Sequence, residues 1–187
     1  NLEILNCELT KIKELNLLPL NLKILICTCT EILTLDNLPD SLEELDCMRC
    51  NVSNLDNLPE NLVHLELGDE NGFEVSLDNL PSNLKYLLME SSSFNGNLDN
   101  LPRKLKYLDC TINKIFALDS LPEGLEELYC SYNLIVSLDN LPFTLKKLIC
   151  QGNRIRALDN LPKELVELDC SSNQINSLDN LPKSLIK

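Results

Sequence analysis

Nine cysteines and one histidine are the residues best suited to chemistry in this 187-residue chain. A thiolate is a nucleophile and a soft metal ligand, so the first question is whether any cysteine has neighbours that would activate or share it. Cys27-Thr28-Cys29 and Cys47-Met48-Arg49-Cys50 are the close pairs, and neither has a second pair beside it to complete a four-ligand zinc site. His64 stands alone, so no serine or cysteine has a second histidine to act as base. No glycine-rich phosphate loop follows a strand-like segment. The sequence therefore offers no catalytic, metal or cofactor site, and enzyme activity is not expected within this segment.

What positions the cysteines is a repeat. All nine prolines (Pro19, Pro39, Pro59, Pro81, Pro102, Pro122, Pro142, Pro162 and Pro182) fall in one regular register, and only the units from Pro59 and Pro81 are slightly longer than the rest. The unit from Pro102 places Leu105, Leu108, Cys110, Asn113, Ile115, Leu118 and Leu121 at fixed positions, matching L-x-x-L-x-L-x-x-N/C-x-L with Cys in the third slot. Units from Pro122, Pro142 and Pro162 repeat it without gaps, through Asn133, Asn153 and Asn173. Cys7, Cys27, Cys47, Cys110, Cys130, Cys150 and Cys170 share the third slot.

The predicted fold is a leucine-rich-repeat solenoid, mostly β within the α/β class: a curved right-handed coil with a parallel sheet on its concave face. A strand alternates faces with period two, so Leu108 and Cys110 point inward and Tyr107 and Asp109 outward. A unit of about 20 residues carrying a proline leaves little room for a helix, so the convex side is expected to be extended or polyproline-like. Residues 1–187 read as one domain of about nine coils. The chain opens at Asn1-Leu2-Glu3-Ile4-Leu5 and closes at Leu185-Ile186-Lys187 without an evident polar cap, which predicts further repeats or caps outside this segment.

Two columns have structural explanations. An inward thiol behaves as a small hydrophobe, and equivalent atoms of adjacent coils lie about 4.8 Å apart, slightly wide for an unstrained disulfide. Buried free thiols imply a reducing compartment such as the cytoplasm. The Asn amide is expected to bond backbone groups of its own and the adjacent coil; Thr10, Thr30, Cys50 and Ser92 take its slot elsewhere. Asp36, Asp56, Asp78, Asp99, Asp119, Asp139, Asp159 and Asp179 belong to the repeated Leu-Asp-Asn/Ser-Leu-Pro and are expected to cap or hydrogen-bond the turn into the proline.

Two units break the period, at 67–75 and 89–97, where Leu67 and Met89 replace Cys, and Phe73 and Phe94 replace Ile. Such insertions either bulge towards a partner or widen the coil around larger side chains. A net charge of −13 argues against nucleic acid and anionic membranes as partners, and no apolar run approaches the roughly 18 residues of a membrane span.

The outward strand columns are free of packing demands, so function is sought there. One column runs Ile4, Ile24, Glu44, His64, Tyr86, Tyr107, Glu127, Lys147, Glu167; the other runs Asn6, Ile26, Asp46, Glu66, Leu88, Asp109, Tyr129, Ile149, Asp169. An acidic stretch of Glu44, Asp46, Glu66 and Asp69 borders Tyr86, Leu88, Tyr107 and Tyr129, with Asp109 among them and Tyr132 close by. Tyrosines on an exposed sheet beside carboxylates have the make-up of an interface centre with a charged rim, although aromatic residues also favour strands as such. For His64, a weak cation site competes with plain surface, and one imidazole among solvated carboxylates reads as surface.

The unit L-D-N-L-P-x-x-L-x-x-L-x-C-x-x-N-x-I resembles the leucine-rich-repeat proteins encoded by giant amoeba-infecting viruses. It is also similar to the short L-P-containing repeats of bacterial secreted effectors, some of which carry a ubiquitin-ligase domain. The viral resemblance implies a protein-interaction role in host cytoplasm or virion; the effector resemblance implies substrate recognition for a ligase. The inward Cys column departs from the effector pattern and favours the former. A module binding a protein partner leads, with the recognition part of a ligase-like effector and a head-to-tail self-assembling array as the other readings.

Overall fold

The computed structural model describes residues 1–68 and 76–186. Among the described residues nine short strands follow one another: β1 (Ile4–Asn6), β2 (Ile24–Ile26), β3 (Glu44–Asp46), β4 (His64–Glu66), β5 (Tyr86–Leu88), β6 (Tyr107–Asp109), β7 (Glu127–Tyr129), β8 (Lys147–Ile149) and β9 (Glu167–Asp169). They form one parallel sheet in sequence order, with the repeat columns in register: Leu45 pairs with Leu65, Leu65 with Leu87, and Leu87 with Leu108. The alternation explains the choice of face, since the central leucine of each strand from β2 to β8 is fully buried. Among the described residues there is no helix.

Each proline starts a turn. Its carbonyl accepts the N–H of the leucine three residues on, as in Leu105 N to Pro102 O at 3.0 Å, and the same bond recurs after all nine prolines. Proline suits that slot because it has no N–H to satisfy, and its fixed φ directs the chain into the turn. The leucine so placed, Leu105 or Leu125, is fully buried and feeds the strand that follows.

The inward thiols do more than fill space. Cys27 Sγ donates to Asp46 O at 3.3 Å and Cys110 Sγ to Tyr129 O at 3.4 Å, each reaching a carbonyl of the next coil. A methyl group of similar size would leave that weak S–H contact unmade. All nine cysteines are free thiols, with Cys29 and Cys170 half-buried and the other seven buried.

The asparagine column forms the expected ladder. Asn133 Nδ2 donates to Cys110 O, Cys130 O and Ser131 O, while its Oδ1 accepts Ile115 N. Asn113, Asn153 and Asn173 repeat the pattern. In the earlier coils Thr30 Oγ1 donates to Cys27 O at 2.8 Å, and Cys50 Sγ donates to the same carbonyl at 3.1 Å. Cys50 therefore stands in for a ladder amide, which separates it from the seven column cysteines.

The aspartate row bonds the turn as expected, with Ser76 donating to Asp78 at 2.6 Å and Ser137 to Asp139 at 2.6 Å. It also links the coils: Asn79 donates to Asp56 at 2.8 Å, Asn100 to Asp78 at 2.7 Å and Asn160 to Asp139 at 2.7 Å. Parallel stacking puts each amide beside the carboxylate of the preceding coil, whereas the turn that follows the proline is closed by the proline carbonyl itself. Phe73 and Asp69, in the longer unit from Pro59, lie outside the described residues. In the unit from Pro81, Phe94 is buried in the Ile slot, so there the widened coil accommodates a larger side chain.

One column carries strain. Leu9, Cys29, Arg49, Ser91, Ile112, Tyr132, Gly152 and Ser172 all precede the ladder position, and all have φ between 54° and 69°. Only one is glycine. A β-branched residue is the poorest fit to left-handed backbone, at a cost of roughly 1–2 kcal/mol, and Ile112 is also exposed. Ile112→Gly is expected to raise unfolding free energy by about 0.5–1 kcal/mol after the extra flexibility of the unfolded chain is counted. Urea denaturation checks this, and a loss of stability would show that the Ile112 side chain contributes packing its exposure does not suggest.

Candidate functional site

The two outward columns meet across the middle of the sheet, where the strand register sets their spacing. Glu44 pairs with His64, His64 with Tyr86 and Tyr86 with Tyr107. In the second column Asp46 pairs with Glu66, Glu66 with Leu88, Leu88 with Asp109 and Asp109 with Tyr129. Strands about 4.8 Å apart bring consecutive rings into contact.

The result is a run of four rings. His64 stacks on Tyr86 with centroids 5.7 Å apart, Tyr86 lies 6.3 Å from Tyr107, and Tyr107 lies 5.2 Å from Tyr129. The last step crosses from one column to the other. Lys147 extends the run, with Nζ 5.2 Å from the Tyr129 centroid and 3.2 Å from Glu167. Tyr86 is 42% exposed, and Tyr107, Tyr129 and Leu88 are half-buried, so ring area remains open to solvent.

Polar contacts hold this surface in place. His64 Nε2 lies 2.8 Å from Glu66 Oε1, and the Tyr129 hydroxyl donates to Glu127 Oε2 at 3.2 Å. Asp109 accepts the Thr111 N–H, and Asp46 accepts both the Met48 N–H and the Thr28 hydroxyl. Burial, then the nearby Asp109 charge, pushes the Tyr107 hydroxyl up to about 12, so it stays a neutral donor at physiological pH. Lys147 is held above its ordinary value by Tyr129 first and Glu167 second.

Glu44, Asp46, His64, Glu66, Tyr86, Leu88, Tyr107, Asp109 and Tyr129 all lie on this one face. Tyr132 sits apart from the ring run: it occupies the left-handed position after β7, and its ring rests where a Cβ on Gly152 would be 2.6 Å from Cδ1. Lys147, Glu127 and Glu167 complete the face although the aromatic pattern alone did not single them out. Their signal was their membership of the same outward column. Among the described residues no group of three or more His, Cys, Asp or Glu is placed to hold a metal ion, and no helix is long and apolar enough to cross a membrane.

A parallel sheet of one strand per coil, with leucines, thiols and an asparagine ladder filling the interior, decides the architecture. The fold is a leucine-rich-repeat solenoid. No family model and no curated protein matches the chain. Solved leucine-rich-repeat structures do. Internalin C2 of Listeria monocytogenes superposes with a TM-score of 0.71 at 20% identity, over 84% of this chain and 75% of that one. YopM of Yersinia pestis, a leucine-rich effector protein, gives 0.61 at 24% identity, over 98% of this chain and 64% of that one. The functional domain of InlJ from Listeria monocytogenes, described as including a cysteine ladder, gives 0.57 at 28% identity, over 96% of this chain and 36% of that one. The described residues share this fold, and the chain spans only part of the length of YopM and InlJ.

Proposed function

We propose that this solenoid is a non-catalytic protein-interaction module that binds a protein partner on its concave sheet, with Tyr86, Tyr107 and Tyr129 at the centre and Leu88 between them. Glu44, Asp46, His64, Glu66 and Asp109 form the surrounding polar rim, and Tyr132 lies at its edge. The observation that carries this reading is the solvent-facing ring run. Exposed aromatic area costs free energy in water, and here no fold requirement explains it, because equivalent outward positions accept Glu, Asp, Lys or Asn. Aromatic anchors of this kind commonly supply most of an interface's binding energy.

The buried thiol column fits a reducing compartment, and with the repeat's resemblance to giant-virus proteins it supports action in host cytoplasm or a virion. The likeness to YopM supports the effector reading as the alternative.

The test is affinity capture from source-cell lysate, comparing the unmodified chain with one in which Tyr86, Tyr107 and Tyr129 are all alanine. Capture that depends on the tyrosines supports the module and locates its face. Tyr107→Ala alone is expected to keep the far-ultraviolet circular dichroism of the parent while weakening binding by roughly tenfold or more. Undiminished affinity would remove the concave face from the interface, and a mass that grows with concentration in light scattering would favour a self-assembling array.

A further inference from the structure

We infer that the segment received by the concave face is basic and extended, presenting arginine or lysine cations to the rings of Tyr86 and Tyr107. This rests on the concave-face reading and specifies its partner's chemistry. The face already binds one cation of its own: Lys147 Nζ is held between the Tyr129 ring at 5.2 Å and the Glu167 carboxylate at 3.2 Å. A ring face supplies the negative end of its quadrupole, and a carboxylate supplies full charge, so the pair captures a cation that neither holds well alone.

Those ingredients recur at Tyr86 and Tyr107 without a lysine or arginine in the outward columns beside them. The two columns carry seven carboxylates, Glu44, Asp46, Glu66, Asp109, Glu127, Glu167 and Asp169, against the single lysine Lys147. Asp46, Asp109 and Asp169 accept hydrogen bonds from neutral N–H or hydroxyl groups, which orient them without cancelling their charge. Of the four lysines just before the strands, Lys23 pairs with Glu43, and Lys106 and Lys146 both pair with Glu126, while Lys85 is exposed and stands in that same column rather than in the outward ones. A chain of net charge −13 reinforces the selection by drawing basic partners in and repelling acidic ones.

Spacing chooses the conformation. The Tyr86 and Tyr107 centroids are 6.3 Å apart, and side chains two residues apart on an extended segment are separated by about 6.7 Å. A segment crossing the strands with cations at alternate positions therefore places one on each ring, with its intervening residues directed away from the sheet.

The probe is a synthetic peptide of four Arg-Gly repeats, titrated into the whole chain by calorimetry and by NMR of the tyrosine ring protons. The Tyr86 and Tyr107 ring signals should shift on binding. The double change Tyr86→Phe with Tyr107→Phe should keep the affinity, because the ring faces remain, whereas Tyr86→Leu with Tyr107→Leu should weaken it about tenfold. Asp109→Asn should weaken binding at least threefold, while Asp139→Asn, the same charge change in the return-side row, should alter it less than twofold. Equal effects of the two aspartates, or equal affinity of the Leu and Phe variants, would reduce the binding to general charge attraction and overturn the inference. If a lysate partner is lost from the Tyr-to-Ala variant but the peptide neither binds nor competes with it, the interface stands and its basic specificity falls. If the partner's capture ignores the tyrosines as well, both fall.

Discussion

Asn133→Ala is expected to lower the unfolding free energy by about 3 kcal/mol, a large share of the roughly 5–15 kcal/mol by which most domains are stable. The side chain is only 5% exposed and satisfies four backbone groups at once. Its Nδ2 donates to Cys110 O at 2.9 Å, Cys130 O at 3.1 Å and Ser131 O at 3.1 Å, and its Oδ1 accepts Ile115 N at 2.9 Å. Alanine leaves an interior N–H and its carbonyls without that partner, and each unsatisfied buried group costs about 1–3 kcal/mol. The carbonyls lose less than the N–H because other bonds remain to some of them. Cys110 O also accepts from Asn113 and Cys130 O from Asn153, which keeps the total well below four full penalties. Urea denaturation at neutral pH under reducing conditions measures it. A loss under about 1 kcal/mol would mean that water enters the turn and replaces the amide. Because Asn133 and Asn153 share Cys130 O, their double alanine variant should depart from additivity.

That ladder was legible in the sequence because a fixed period repeats one environment, and an environment repeated is one that can be read. The inward Leu108 and Cys110 and the outward Tyr107 and Asp109 follow from strand alternation once the period is known. The register of His64 between Glu44 and Tyr86 follows from parallel stacking. Backbone strain gave no such sign. The left-handed column before the ladder is filled by Leu9, Cys29, Arg49, Ile112 and Tyr132, with only Gly152 of the residue type that announces it, whereas a second left-handed column, at Asn37, Asn57, Asn140 and Asn180, carries the asparagine that tolerates such backbone. The conformations of the first column are imposed by the ladder on their C-terminal side, a tertiary demand that local propensity does not record. The same limit applied to Asp56 and Asp78, whose asparagine partners sit 23 and 22 residues away and become neighbours only after the coil closes.

The candidate face was partly legible for a related reason. Outward columns vary where inward ones do not, so Tyr86, Tyr107 and Tyr129 were recognisable as residues the coil does not need. Their ring-to-ring geometry, the crossing between columns at Tyr107 and Tyr129, and the capture of Lys147 depend on side-chain rotamers that repeat spacing leaves open. Cys50 shows the converse. It stands outside the thiol column, yet its bond to Cys27 O makes it a ladder residue by function.

Raising the pH from 8 to 10 under a reductant is expected to remove several kcal/mol of stability, the largest effect predicted for this fold. Cys47, Cys110, Cys130 and Cys150 all have thiols pushed above their ordinary value of 9.0, with burial the leading cause in each. Cys27 adds nothing separate, because it is hydrogen-bonded to Cys50 and the two titrate as a pair. Well below pH 9 folded and unfolded states both carry these protons, and stability does not change. Above it the unfolded thiols ionise while the folded ones cannot, so the unfolded state binds fewer protons and is favoured progressively as pH rises. At pH 10 each such group contributes to the loss, and the displaced Tyr107 adds to it in the same direction as its unfolded value of 10.0 is approached. Urea midpoints at pH 8, 9 and 10 measure the slope. Cys130→Ala, although less stable at neutral pH, should lose less over that interval, by the share of one buried thiol. That difference separates thiol ionisation from general repulsion in an acidic chain. Parallel curves for the two proteins would mean that the column ionises in place, against the burial that holds the Cys130 thiol neutral.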